Sequence, residues 1–143
     1  MLNSLSPDQI DSAKLELSKI FKLAVAGVPI QMFSTAIDAV WHELLKDREG
    51  YKKFSIDACG HVVGHIEENG AGAVSFLEAY EKKFGQLPDV WFTDSEGKID
   101  YALRRKYTAY GVIEANWDCG ADHACESSPV KEPSPSKTAN AAA

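Results

Sequence analysis

Three of the four histidines, His42, His61 and His65, fall between Trp41 and Cys59-Gly60-His61-Val62-Val63-Gly64-His65. Neutral imidazoles are good ligands for divalent metals. His61 and His65 stand in an H-x-x-x-H spacing, one helical turn or one tight loop apart, at which two rings can share an ion. A zinc protease would place a glutamate directly after the first histidine, and Val62 stands there instead. His42 follows Asp38 by four residues, so one turn of helix brings a carboxylate beside the ring and can fix its tautomer. The competing reading of that pair is a plain surface i, i+4 contact. His42, His61 and His65 are thus the candidate metal ligands, with Asp38 as the orienting group.

A second group lies in Cys119-Gly-Ala-Asp-His123-Ala-Cys125. Two thiolates and an imidazole suit zinc, but the spacing matches no standard finger and a fourth ligand would have to come from elsewhere. The alternative is a mobile tail whose thiols happen to be close in sequence.

The elements that must position these residues read as helices. Ser6-Pro7-Asp8-Gln9 carries a capping box with proline at the first helical position. Ile10, Ala13, Leu17, Ile20, Phe21 and Ala24 continue it as one apolar stripe, and Gly27 and Pro29 stop it, which predicts a helix over about 7–26. A second helix starts at Ser34 or Thr35 and buries Ile37, Val40, Trp41, Leu44 and Leu45, leaving His42 on the flank of the stripe. A third runs over about 48–59; unbroken continuation would put His61 and His65 on one face, against which Gly60 and Gly64 weigh about 1 kcal/mol each. Asn69-Gly70-Ala71-Gly72 reads as a flexible joint before a fourth helix over about 73–84. Val90 to Tyr101, around Asp94-Ser95-Glu96-Gly97, reads as a β-hairpin, or else 99–107 forms a short helix.

The expected architecture is therefore mainly α: a helical domain of about four helices over 1–112, with a small hairpin near 90–101. A Cys/His-containing segment follows over 113–126, and a disordered tail over 127–143. Trp41, Tyr51, Phe54, Leu77, Tyr80 and Phe84 should meet in one core, because each helix shows a single apolar stripe.

A chain of 143 residues that is 45% hydrophobic suits one domain. Its net charge of −6 argues against a nucleic-acid partner, and Arg104-Arg105-Lys106 is too short a basic run to reverse that. Apolar runs are too short for a membrane helix, and Met1-Leu-Asn-Ser-Leu-Ser lacks the pattern of an export signal. With three cysteines, an odd number, a reducing cytoplasm is the simpler setting.

Ala36-Ile37-Asp38-Ala39-Val40-Trp41-His42, followed by Asp47, Tyr51, Phe54, Gly60 and His65, resembles the glycine-rich domain-containing protein-like family of plants and bacteria. Tyr80, Phe84-Gly85, Pro88 and Trp91 look like that family's later phrase, and the likeness covers about residues 8–93. The chain departs from the family at Leu44 and Gly64, where the family has histidines, and His61 is an addition. The resemblance implies a fold and a meeting of His42 with His65, but no defined reaction.

The sequence thus leaves a non-enzymatic adaptor or interaction module with a protein partner, whose His42/His65 centre either binds a divalent metal such as zinc or only satisfies hydrogen bonds inside the helical core. The alternative is a metal-dependent hydrolase in which zinc activates water, with Asp38, Asp47 or Glu43 as base.

Overall fold

The computed structural model describes residues 2–122. The tail beyond 126, His123 and Cys125 lie outside the described residues.

The first helix, α1 (Pro7–Val25), begins as its capping box requires: Ser6 Oγ accepts from Gln9 N at 3.1 Å, and Gln9 Oε1 accepts from Ser6 N at 2.9 Å. α2 (Thr35–Leu45) is capped by Ser34, and α3 (Arg48–Cys59) by Asp47, whose carboxylate accepts from Gly50 N. These three helices pack on one another. Trp41, Phe21, Leu17 and Ile20 are fully enclosed, and the Phe21 ring meets Trp41 at 5.6 Å and Phe54 at 5.8 Å. Of the expected core, Trp41, Tyr51, Leu77 and Tyr80 are buried, while Phe54 and Phe84 lie half-buried against it.

The mainly α expectation is overturned. Among the described residues five α-helices are joined by a two-stranded antiparallel sheet, β1 (Gly64–Ala73) with β2 (Glu114–Asp122), so the fold is mixed α and β. The stretch read as a flexible joint is strand. Gly70 belongs there for packing, because a Cβ on it would come within 2.5 Å of the Trp117 indole across from it on the opposite strand, whereas Gly72 has open space around it and takes up a φ of 130°. On β2, Ala115, Trp117, Cys119 and Ala121 are at least half-buried while Glu114, Asn116 and Asp118 are exposed, the alternation of a strand with one covered face.

The fourth helix is correspondingly shorter than 73–84, with α4 spanning Leu77–Phe84. The hairpin near 90–101 reduces to a tight turn, in which Thr93 bridges Ile99 and Asp94 N donates to Lys98 O. Before that turn lies a 3-10 turn, Asp89–Phe92; after it comes α5 (Tyr101–Tyr110), capped by Asp100 and close to the alternative helix over 99–107. Asp94 explains the outcome, because its carboxylate accepts from both Glu96 N and Lys98 N and closes a local turn that needs no long strands.

Candidate metal centre

Each residue of the centre is placed by a separate local cause. Gly60 adopts the left-handed conformation (φ 82°) that ends α3. Ser55 Oγ then donates to His61 O and accepts from Val63 N, and the Tyr51 hydroxyl donates to Val63 O, so the chain is turned out of the helix and fixed as it enters β1. On the strands, His65 pairs with Ala121, and Glu67 with Cys119. Residues opposite one another in an antiparallel ladder share a face, and diagonal neighbours lie within side-chain reach. His65 and Cys119 are such a diagonal pair. The outer edge of β2 is held by Met32 N, which donates to Cys119 O at 3.0 Å, and by the approach of Ile30 O to Gly120, where a Cβ would come within 2.4 Å.

α2 completes the arrangement. Its Asp38 carboxylate lies against the face that carries His65 and Cys119: Cys119 Sγ donates to Asp38 Oδ1 at 2.9 Å, and His65 Nε2 is 3.2 Å from the same oxygen. One ligand atom from each of Asp38, His65 and Cys119 can be chosen so that all lie within 4.8 Å of one another. His42, one turn along α2, brings Nε2 to 3.4 Å from Asp38 Oδ2, and its ring centre is 4.5 Å from that of His65. The buried Trp41 ring meets His65 edge-on at 4.6 Å. The side chain of His65 is 6% exposed, that of Asp38 25% and that of His42 51%, so the centre is closed on the strand side and opens towards solvent along α2.

No protein-family model, no curated protein and no solved structure matches the chain.

The electrostatics follow from this geometry. Burial pushes the Asp38 carboxyl up, but hydrogen bonds from His65 and Cys119 and the charges of His42 and His65 outweigh it, so the group ends below its ordinary value. Burial pushes the Cys119 thiol well up, and Asp38, to which it donates, pushes it further. A divalent cation would reverse that second effect, since a coordinating thiol gives up its proton. The donors are a carboxylate, an imidazole and a sulfur, a combination suited to zinc.

Of the residues singled out in the sequence, the structure brings together His42, His65, Asp38 and Cys119. Asp38 does more than orient His42, because it is the common partner of the other three. His61 stands apart: it is exposed, and its engaged group is the backbone carbonyl. Cys119 falls in the histidine centre, while His123 and Cys125, its companions in the second sequence cluster, lie outside the described residues. The signal that could have placed it there is the polar/apolar alternation of Glu114-Ala-Asn-Trp-Asp-Cys119, which marks a strand.

Proposed function

We propose that the chain is a non-enzymatic interaction module whose strand pair is pinned to α2 by a divalent metal of the zinc type, held by Asp38, His65 and Cys119. The observation that carries this is the convergence of three chemically different ligands from α2, β1 and β2 on one point. Structural zinc sites contribute folding free energy by joining segments distant in sequence, and these three span positions 38 to 119. Membership of the glycine-rich domain-containing protein-like family belongs to the same proposal, supported by the meeting of the family-like positions Trp41, His42 and His65. A protein partner is supported by α5 and the residues after it, where Tyr101, Tyr110 and Val112 are exposed beside Arg105 and Lys106.

A hydrolase would need a base beside the metal. Asp47 is committed to the cap of α3, Glu43 pairs with Lys46 at 3.2 Å, and Asp38 is itself one of the ligands. The geometry therefore favours a site that holds structure over one that turns over substrate.

Metal analysis and calorimetry on purified, untagged full-length protein test this. One equivalent of zinc should bind, and at a hundred times Kd it should raise unfolding free energy by about 2.7 kcal/mol. Cys119→Ala and His65→Ala should abolish both effects. Wild-type protein that takes up no zinc would remove the proposal.

A further inference from the structure

We infer that His42 closes this centre as its fourth ligand, giving an Asp/His/His/Cys site with no resident water, and that the position it fills is exchangeable. The inference rests on the metal reading above and deepens it.

Asp38 and His42 are four residues apart on α2 and so share one helical face, while His65 and Cys119 are diagonal neighbours on the strand pair. Asp38, His65 and Cys119 converge on one point, and His42 stands beside it, with its ring centre 4.5 Å from that of His65. In a tetrahedral site with bonds of about 2.0–2.1 Å to nitrogen and oxygen, neighbouring ligand atoms lie roughly 3.3–3.4 Å apart. His65 Nε2, at 3.2 Å from Asp38 Oδ1, already stands at that separation, while His42 Nε2 lies 3.4 Å from the other carboxylate oxygen, Oδ2, and has to turn towards the ion to join it. The sulfur, at 2.9 Å from Oδ1, is closer because it donates a hydrogen bond there, and needs to withdraw by roughly 0.6 Å when the bond to sulfur is about 2.3 Å.

The four ligands are not held alike. His65 is enclosed against Trp41, and Cys119 is buried with its backbone carbonyl tied to Met32, whereas His42 is half-exposed beside Asp38 and the His65 ring. Rotation of one side chain towards solvent therefore frees one coordination position and leaves the other three in place. An external nitrogen ligand can enter there, from the solvent side along α2.

Cobalt(II) titrated into the full chain reads this directly, since a four-coordinate cobalt–thiolate centre gives intense visible bands that five- and six-coordinate centres lack. Wild type should show the four-coordinate spectrum. His42→Ala should lose it and bind cobalt more weakly, by at least the ten- to hundredfold that loss of an outer-shell partner costs. Free imidazole should restore the spectrum in His42→Ala, and an unchanged thermal melt without metal would show that the variant folds. If wild type and His42→Ala give the same spectrum and affinity, the inference is overturned while the three-ligand site stands. The same holds if Cys125→Ala or His123→Ala loses the spectrum and His42→Ala keeps it. If wild type binds neither cobalt nor zinc, the metal reading itself falls, and the inference with it.

Discussion

Two carboxylates sit at the centres of two polar clusters in this fold, and their partners set them apart. Glu16, on α1, is 2% exposed: Oε1 accepts from the Tyr80 hydroxyl at 2.5 Å and from Trp91 Nε1 at 2.9 Å, and Oε2 from Lys19 Nζ at 3.0 Å. A neutral phenol, an indole and an ammonium group act here as hydrogen-bond donors to the carboxylate, and none is an imidazole or thiol of the kind that zinc takes. Asp38 faces two imidazoles and a thiol, each with a lone pair of its own. Burial of a carboxylate is common to both; the ability of the partners to ligate belongs to one. A charged group inside a fold thus points to a site only when its neighbours have unused chemistry.

The largest effect that would test this contrast is on stability without metal. Glu16→Ala leaves buried indole and phenol donors unpaired and Lys19 without its counter-charge, so it should cost about 3–5 kcal/mol. Asp38→Ala, in a centre partly open to water, should cost no more than about 1–2 kcal/mol with a chelator present. Urea unfolding of both variants settles it, and equal losses would erase the distinction between a centre that glues and a centre that binds.

The same two centres should fail at opposite ends of the pH scale. The folded-state value of Asp38 lies below its ordinary 3.8, so its contribution is fully present above that value and is lost as pH falls through the lower folded value. Asp38→Asn should remove this acid-side loss. Burial, and then the adjacent Glu16, raise Tyr80 above its ordinary 10.0, so its contribution is present below pH 10 and is lost as pH rises beyond it. Tyr107, buried and donating to Glu81, is pushed up to about 12, and adds to the same alkaline limb between 10 and 12. Tyr80→Phe should remove its share of the alkaline limb, keep that of Tyr107 and leave the acid limb alone, as chemical denaturation across pH would show.

How much of each centre was legible in the sequence follows from its periodicity. The helices carrying Glu16 and Asp38 were readable because a capping box, an N-cap serine and single apolar stripes agree with one another. The strand pair was not, because β1 is Gly64-His-Ile-Glu-Glu-Asn-Gly-Ala-Gly-Ala, with polar and small residues where β-branched ones would mark a strand. Gly70 answers to Trp117, 47 positions away in the pairing Gly70↔Trp117, and local pattern carries no trace of such a partner. A register irregularity between Glu67 and Gly70 also breaks the alternation that a strand would otherwise display. Sequence spacing therefore groups Cys119 with its neighbours His123 and Cys125, and the pattern that brings His42 to His65 carries no sign of the sulfur that shares their centre.

Gly70→Ala probes that hidden dependence and should have an intermediate effect. The new methyl meets the Trp117 ring rather than a flexible chain end, so overpacking of about 1–3 kcal/mol is expected. Because the strand pair carries His65 and Cys119, zinc affinity should fall in the same variant, while the Glu16 centre, built from α1, α4 and the 3-10 turn, should keep its alkaline limb. Loss of stability with unchanged zinc affinity would show that the ribbon does not set the spacing of the two ligands.

The smallest effect belongs to His61, which H-x-x-x-H spacing made the partner of His65. Had α3 run on, both rings would have faced inward, but Gly60 takes up a φ of 82° and the helix ends at Cys59. Ser55 then holds His61 by its carbonyl, a contact that any residue at this position can make, and the ring is left exposed. His61→Ala should therefore change stability by less than about 0.5 kcal/mol, as is usual for surface positions, and leave the zinc stoichiometry and the cobalt spectrum as in wild type. Gly60→Ala is the sharper companion, because it strains the turn without touching an imidazole. A cobalt spectrum altered by His61→Ala but not by Gly60→Ala would return His61 to the ligand set and take the structural role away from the turn.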